Sequence, residues 1–182
     1  MASPLVLHAA PAAGFDEPFE MLDACHRRVE RMLRLLERLR VHLGAHGADA
    51  AARDGARDLL RYFDHAAPQH HEDEERHVLP RLRAAGAGAL AERLHAEHEA
   101  MTTAWAALRR PLVALAEGHG AGADALAGAP AFAALYTGHL RAEDELAYPA
   151  VRAGVDAAGL RAIGAEMAAR RGVPMPPARS PR

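Results

Sequence analysis

The 182-residue chain contains no lysine and no asparagine, one cysteine (Cys25) and one isoleucine (Ile163). Without asparagine there is no acceptor for N-glycosylation. A single cysteine excludes an internal disulfide and fits a reducing compartment. Aromatic residues make up only 4% of the chain, and no run of Val, Ile, Thr and aromatics reads as a strand. No apolar run approaches the roughly 18–20 residues that a membrane-spanning helix needs. With every basic side chain an arginine, the net charge is −2 and the isoelectric point about 6.6. That balance argues against a nucleic-acid binder working through a basic surface. Residues 1–14 carry no basic n-region and only Leu5-Val6-Leu7 as an apolar stretch, so they do not read as a signal peptide. The expectation is a cytoplasmic protein with neither a membrane nor a nucleic-acid partner.

The residues present in abundance are Ala, Leu, Arg and Glu, the strong helix formers. Four long helical segments are expected, from about 16 to 43, 49 to 84, 89 to 117 and 129 to 153. In the first, Leu22, Val29, Leu33, Leu36 and Leu43 recur at helical spacing, and Gly44 and Gly47 are expected to end it. Pro68 should kink or break the second segment; Pro111 and Pro149 fall late in the third and fourth. A short extra helix is expected over 156–170, followed by a Pro-rich tail, 172–182, without fixed structure. Short loops between four such segments predict an all-α, antiparallel up-down four-helix bundle. The expected organisation is an N-terminal tail (1–15), the bundle (16–153), and the short helix with its tail (154–182).

Histidine is the unusual count: 12 residues. Two stretches that carry it echo each other at an offset of 69 positions: His70-His71-Glu72-Asp73-Glu74-Glu75 through Pro80, and His139-Leu140-Arg141-Ala142-Glu143-Asp144 through Pro149. Each has His, Glu four later, an acid five later, and Pro ten later after a large apolar residue. Phe63 matches Phe132 upstream, and Arg83 matches Arg152 downstream. Residues i and i+4 share a helix face one turn apart. An imidazole and a carboxylate so placed can bind one metal, or the carboxylate can bridge two. A mixed nitrogen and oxygen set suits iron, manganese or zinc. A lone His-x-x-x-Glu carries little weight, since it also occurs at His26/Glu30, His71/Glu75 and His95/Glu99. The ten-residue pattern repeated on two helices carries much more.

At these residues the sequence resembles the hemerythrin-like family, the HHE cation-binding domain, over about residues 16–153. The resemblance implies four antiparallel helices around a non-haem di-iron centre. It implies His26 from the first helix, His70 and Glu74 from the second, His98 from the third, and His139 and Glu143 from the fourth, with the two glutamates bridging the metals. Helix register agrees. With a turn centred near residue 87, residue 98 faces about residue 76, close to Glu74; with a turn near 46, His26 faces about residue 66, one turn from His70. The oxygen carriers of the family have His-x-x-x-His on the third helix. Here the positions four before and four after His98 are Leu94 and Thr102. Four His and two Glu are closer to the branch linked to repair of iron centres under nitrosative or oxidative stress, whose cysteine-containing N-terminal domain has no counterpart in residues 1–15.

His71, Glu75, His95 and Glu30 are alternative candidates for the site. Cys25, Trp105, Phe63, Phe132, Leu79 and Tyr148 read as packing residues, some of them lining a ligand pocket. The function expected from the resemblance is binding of, or reaction with, dioxygen, nitric oxide or a peroxide at a di-iron centre. Alternatives are a repair or detoxifying enzyme at the same site, a sensor acting through an unidentified protein partner, and a structural zinc-binding bundle.

Overall fold

The computed structural model describes residues 14–120 and 122–175, and every regular element among them is helical. Helix α1 spans Pro18–His46. A second helical path joins α2 (Ala50–Arg61), a π-helical turn (Tyr62–Ala66), α3 (Ala67–His77) and α4 (Leu79–Ala84). The third is α5, Gly88–Ala116. The fourth joins α6 (Ala129–Ala142), a second π turn (Glu143–Ala147) and α7 (Tyr148–Arg152). Helix α8 covers Ala157–Arg170. Residues 1–13 and 176–182, with most of the tail expected to lack fixed structure, lie outside the described residues.

Starts and stops have local causes. Asp49 and Asp156 cap α2 and α8 by accepting the backbone N–H of Ala52 and of Gly159, each at 2.8 Å. Gly47 ends α1 with φ of 73° and Gly86 turns the chain before α5 with φ of 82°, conformations that cost other residues more. Gly44 does not end α1, which runs on to His46.

The prolines shape the second and fourth paths. A proline lacks the N–H for the i−4 carbonyl, and its ring presses on that carbonyl. Pro68 and Pro149 each follow a π turn, whose wider winding relieves this crowding. The kink expected at Pro68 is therefore taken up over Tyr62–Ala66. At Pro80 the adjustment is smaller, a single non-helical residue at Val78. Helix α5 passes through Pro111 without a break.

The described residues divide into two compact units, 25–154 and the pair 14–24 with 155–175. In the first, α5 packs against α2, α4 and α6. Its apolar cluster takes Val29, Leu33, Leu36, Leu39 and Leu43 from α1, Leu59 and Phe63 from the second path, Met101, Trp105, Leu108, Leu112 and Leu115 from α5, and Phe132, Tyr136 and Leu140 from α6. Each large side chain so buried contributes about 1.5–3 kcal/mol. The other unit buries Phe19 and Leu22 with Ile163, Met167 and Ala168. There a Cβ on Gly164 would lie 1.7 Å from the carbonyl oxygen of Phe15, so only glycine allows this approach. Arg171 caps the same contact, its guanidinium 5.7 Å from the centre of the Phe15 ring.

Candidate metal centre

Between apolar layers, α1, α3, α5 and the α6–π junction each turn polar side chains inward. His26, His70, Glu74, His98, His139 and Glu143 are all buried, at most 5% exposed. The repeated i, i+4 spacing does what one helical turn requires. His70 Nε2 lies 3.3 Å from Glu74 Oε1, and His139 Nε2 lies 3.1 Å from Glu143 Oε1. His26 joins from α1, with Nε2 3.2 Å from Glu143 Oε2 and its ring centre 5.0 Å from that of His70. His98 joins from α5, with Nε2 3.4 Å from Glu74 Oε2 and 3.1 Å from His139 Nε2.

These donors form two groups whose ligand atoms all lie within 4.8 Å of one another: His26, His70, Glu74 and Glu143, and Glu74, His98, His139 and Glu143. Both glutamates belong to both groups. Two positive centres sharing two carboxylates fit that arrangement.

A second layer of carboxylates orients the imidazoles. His26 Nδ1 donates to Asp144 at 2.8 Å, His98 Nδ1 to Glu75 at 2.7 Å, and His139 Nδ1 to Glu97 at 2.8 Å. Such partners point Nε2 inward and make it a better donor to a metal. Tyr148 completes the inside. Its hydroxyl donates to Glu74 Oε1 and lies 2.8 Å from His26 Nε2, while its ring stacks on His26.

The electrostatics follow from burial against pairing. Burial alone would lower the pKa of His26, but the carboxylates of Asp144, Glu143 and Glu74 beside its ring push it up to about 12. Burial likewise opposes the charge on His98, and Glu74 with Glu75 overrides it, raising the pKa to about 9. His139 is raised too, burial being outweighed chiefly by the charge of Glu143. His70, fully enclosed and without a carboxylate on Nδ1, is lowered by burial. Glu74 is held well below the usual carboxylate range, because His70, His26 and His98 outweigh its burial.

Five buried atoms have no aligned hydrogen-bond partner: both ring nitrogens of His70, Glu74 Oε2, and both oxygens of Glu143. Each buried polar group left so costs about 1–3 kcal/mol. In a well-packed interior, such a cluster of unpartnered polar atoms fits a site for cations.

The remaining candidates lie elsewhere. His71 lies outside both donor groups; it stacks on His98, with ring centres 4.3 Å apart, and its Nε2 lies 3.5 Å from the Tyr136 hydroxyl. It lines a groove of about 500 Å³ together with Met101, Trp105, Tyr136, Glu75 and His95. Glu75 is spent on His98 and His95. Glu30 is exposed and pairs with Arg34 at 3.7 Å. His42 pairs with Asp49 at 3.0 Å, and exposed His119 with Glu117 at 3.4 Å. Sequence reasoning gave Glu97 no role and took Tyr148 for a packing or pocket-lining residue. One signal was available for the outer carboxylates: Glu75 and Asp144 occupy equivalent places in the echo, one residue after each glutamate donor.

Fold and site together define a helical protein built to hold cations among buried histidines and shared carboxylates. The chain belongs to the hemerythrin family: the model of the Hemerythrin HHE cation binding domain matches residues 17–151. It is also 42% identical over 77 residues to an uncharacterized protein of Haemophilus influenzae, a match covering 42% of this chain and 45% of that one. The alignment thus spans a little under half the length of the curated relative. No helix among the described residues is long and apolar enough to cross a membrane.

Proposed function

We propose that the chain is a four-helix, antiparallel up-down bundle that holds a non-haem di-iron centre and uses it to bind or react with a small ligand, dioxygen, nitric oxide or a peroxide. The single observation that carries this reading is the pair of donor groups sharing Glu74 and Glu143. Cation binding comes with the family; iron, and two of it, is inferred from the donor chemistry. Four imidazoles and two carboxylates suit iron in a nitrogen and oxygen environment. A structural zinc site prefers four ligands in a tetrahedron and has no use for two shared carboxylates.

In this reading His26 and His70 hold one metal, His98 and His139 the other, and Glu74 and Glu143 span both. Of the orphaned atoms, His70 Nε2, Glu74 Oε2 and the two oxygens of Glu143 would gain partners if metal were bound. The bound pair would supply redox chemistry and a coordination position for the exogenous ligand. The protein keeps the donors aimed through Asp144, Glu75 and Glu97 and excludes bulk water with the flanking apolar cluster. The single cysteine fits a reducing, cytoplasmic setting.

The test is iron content together with an optical spectrum of protein reduced and then exposed to air. Two irons per chain and ligand-to-metal bands after exposure are expected. A colourless chain holding no iron or only zinc overturns the reading, as does full metal retention after His70→Ala and His139→Ala are combined. Steady-state consumption of peroxide or nitric oxide separates an enzyme from a carrier, and a ligand-dependent change in binding to another protein identifies a sensor.

A further inference from the structure

Tyr148 bears the only phenol in contact with the shared donors among the described residues, and its placement differs from that of a packing residue. The side chain is 2% exposed. Its oxygen lies 2.8 Å from His26 Nε2 and within hydrogen-bond contact of Glu74 Oε1, two atoms that both face the first donor group. For metal–ligand bonds of about 2.0–2.1 Å, neighbouring donors around one octahedral ion stand about 3 Å apart. The spacings in this group are of that size: 3.2 Å from His26 Nε2 to Glu143 Oε2 and 3.3 Å from His70 Nε2 to Glu74 Oε1. The phenol oxygen keeps the same spacing from His26.

Resting on the di-iron reading above, the geometry points to Tyr148 as a fifth protein donor at the His26–His70 position, its phenolate oxygen bound to that iron. On loading, the phenolic proton leaves to solvent and the hydroxyl's bond to Glu74 is given up. Among the described residues no phenol touches the histidine donors of the second position. In the echo the residue equivalent to Tyr148 is Leu79, which carries no ligand atom. The groove of about 500 Å³ runs beside His98, on the second position's side. The two irons are therefore inequivalent: the first is closed by Tyr148, and the second is left to receive the exogenous ligand.

The experiment uses the full chain loaded with iron(II) without air, assayed for iron, then oxidised by air and examined by visible absorption and resonance Raman spectroscopy. The chain has three tyrosines. Tyr148→Phe is therefore compared with the double variant Tyr62→Phe/Tyr136→Phe, in which Tyr148 alone remains. The expected result is a phenolate-to-iron(III) charge-transfer band with phenolate ring modes in the wild type and the double variant. Tyr148→Phe should lose both features while its iron content changes less than twofold. Oxidised wild type with full iron and no phenolate features overturns the assignment, as do features that survive Tyr148→Phe or vanish in the double variant. A wild-type chain that takes up no iron defeats the di-iron reading itself, and this assignment with it.

Discussion

His139 gives its outer ring nitrogen to Glu97 at 2.8 Å, whereas His70, its counterpart in the echo, has neither nitrogen hydrogen-bonded. Glu97 directly precedes His98 on α5; the residue directly preceding His26 on α1 is Cys25. The other outer pairs do match, Asp144 with His26 and Glu75 with His98. The two halves thus share their histidine and glutamate donors and differ in what stands behind them. Similar spacing on two helices is enough to assemble the donors, because one helical turn sets it. The surroundings come from separate helices, so each half is tuned separately: His139 is preorganised from outside, while His70 depends on what binds it.

The largest expected effect erases the distinction between the halves. Glu74 and Glu143 each serve both groups, so Glu74→Gln or Glu143→Gln should empty both metal positions. His70→Ala or His139→Ala should empty only its own. Iron per chain, measured by elemental analysis on folded protein, checks this. Loss of both irons from either histidine variant would mean that the halves load only as a unit.

Phe63 and Phe132, also equivalent in the echo, sharpen the comparison away from the metal. They pack edge to face with ring centres 5.2 Å apart inside the apolar cluster. Replacing either with Ala should cost about 3–5 kcal/mol of stability, by chemical denaturation, through lost burial and the cavity left behind. Iron stoichiometry in the folded fraction should not change. A cost confined to one of the two would show that the halves differ in packing as well.

Much of this was legible in the sequence, for reasons that particular residues make plain. The donors His70, Glu74, His139 and Glu143 stand at i and i+4, a local relation that survives any tertiary arrangement. His26 and His98 came from the family resemblance, with which helix register agreed, and the structure brings both together with the other four. Glu97 was not legible, since its contact with His139 crosses from α5 to α6 and no spacing announces it. The π turns escaped as well, because periodicity read over several turns does not register one extra residue in a turn. Pro68 and Pro149 marked where the backbone must yield, but not how. Tyr148 was read as core because an aromatic before a helix proline packs in most settings; only the positions of His26 Nε2 and Glu74 Oε1 show its oxygen to be engaged.

Smaller effects come from the outer carboxylates. Outer partners of ligand histidines are typically worth about 10–100-fold in metal affinity. Asp144→Asn and Glu75→Gln should each cost that much, equally, as equivalent residues. Glu97→Gln should weaken only the second position, and no single residue on the His70 side should mirror it. Competition with a chelator, with the two irons followed separately, reads this out. Equal weakening of both positions by Glu97→Gln would remove the asymmetry.

The finest distinction between the halves is a change of slope with pH. A metal takes the neutral imidazole, so protons held by His26 and His98 must leave on loading, and affinity rises with pH by about tenfold per pH unit for each proton released. His98 holds its proton to about pH 9 and His26 to about pH 12. The plot of log affinity against pH should therefore lose one unit of slope near pH 9 from His98, another where His139, also raised, becomes neutral, and the last from His26 near pH 12. Glu75→Gln should move the His98 break to lower pH, because a partner that raises His98 is gone, whereas Asp144→Asn should leave it in place. Stability of the metal-free chain runs the other way. A histidine raised on folding stabilises fully below its unfolded pKa of about 6.5, and that contribution fades as pH rises through the folded value. For His98 the fading spans about pH 6.5 to 9. Raising pH across this window should weaken the metal-free fold while strengthening metal binding. Denaturation midpoints and chelator competition measured on one pH series test both signs. A metal-free chain that grows more stable over this window would mean that His98 is not charged beside Glu74 and Glu75.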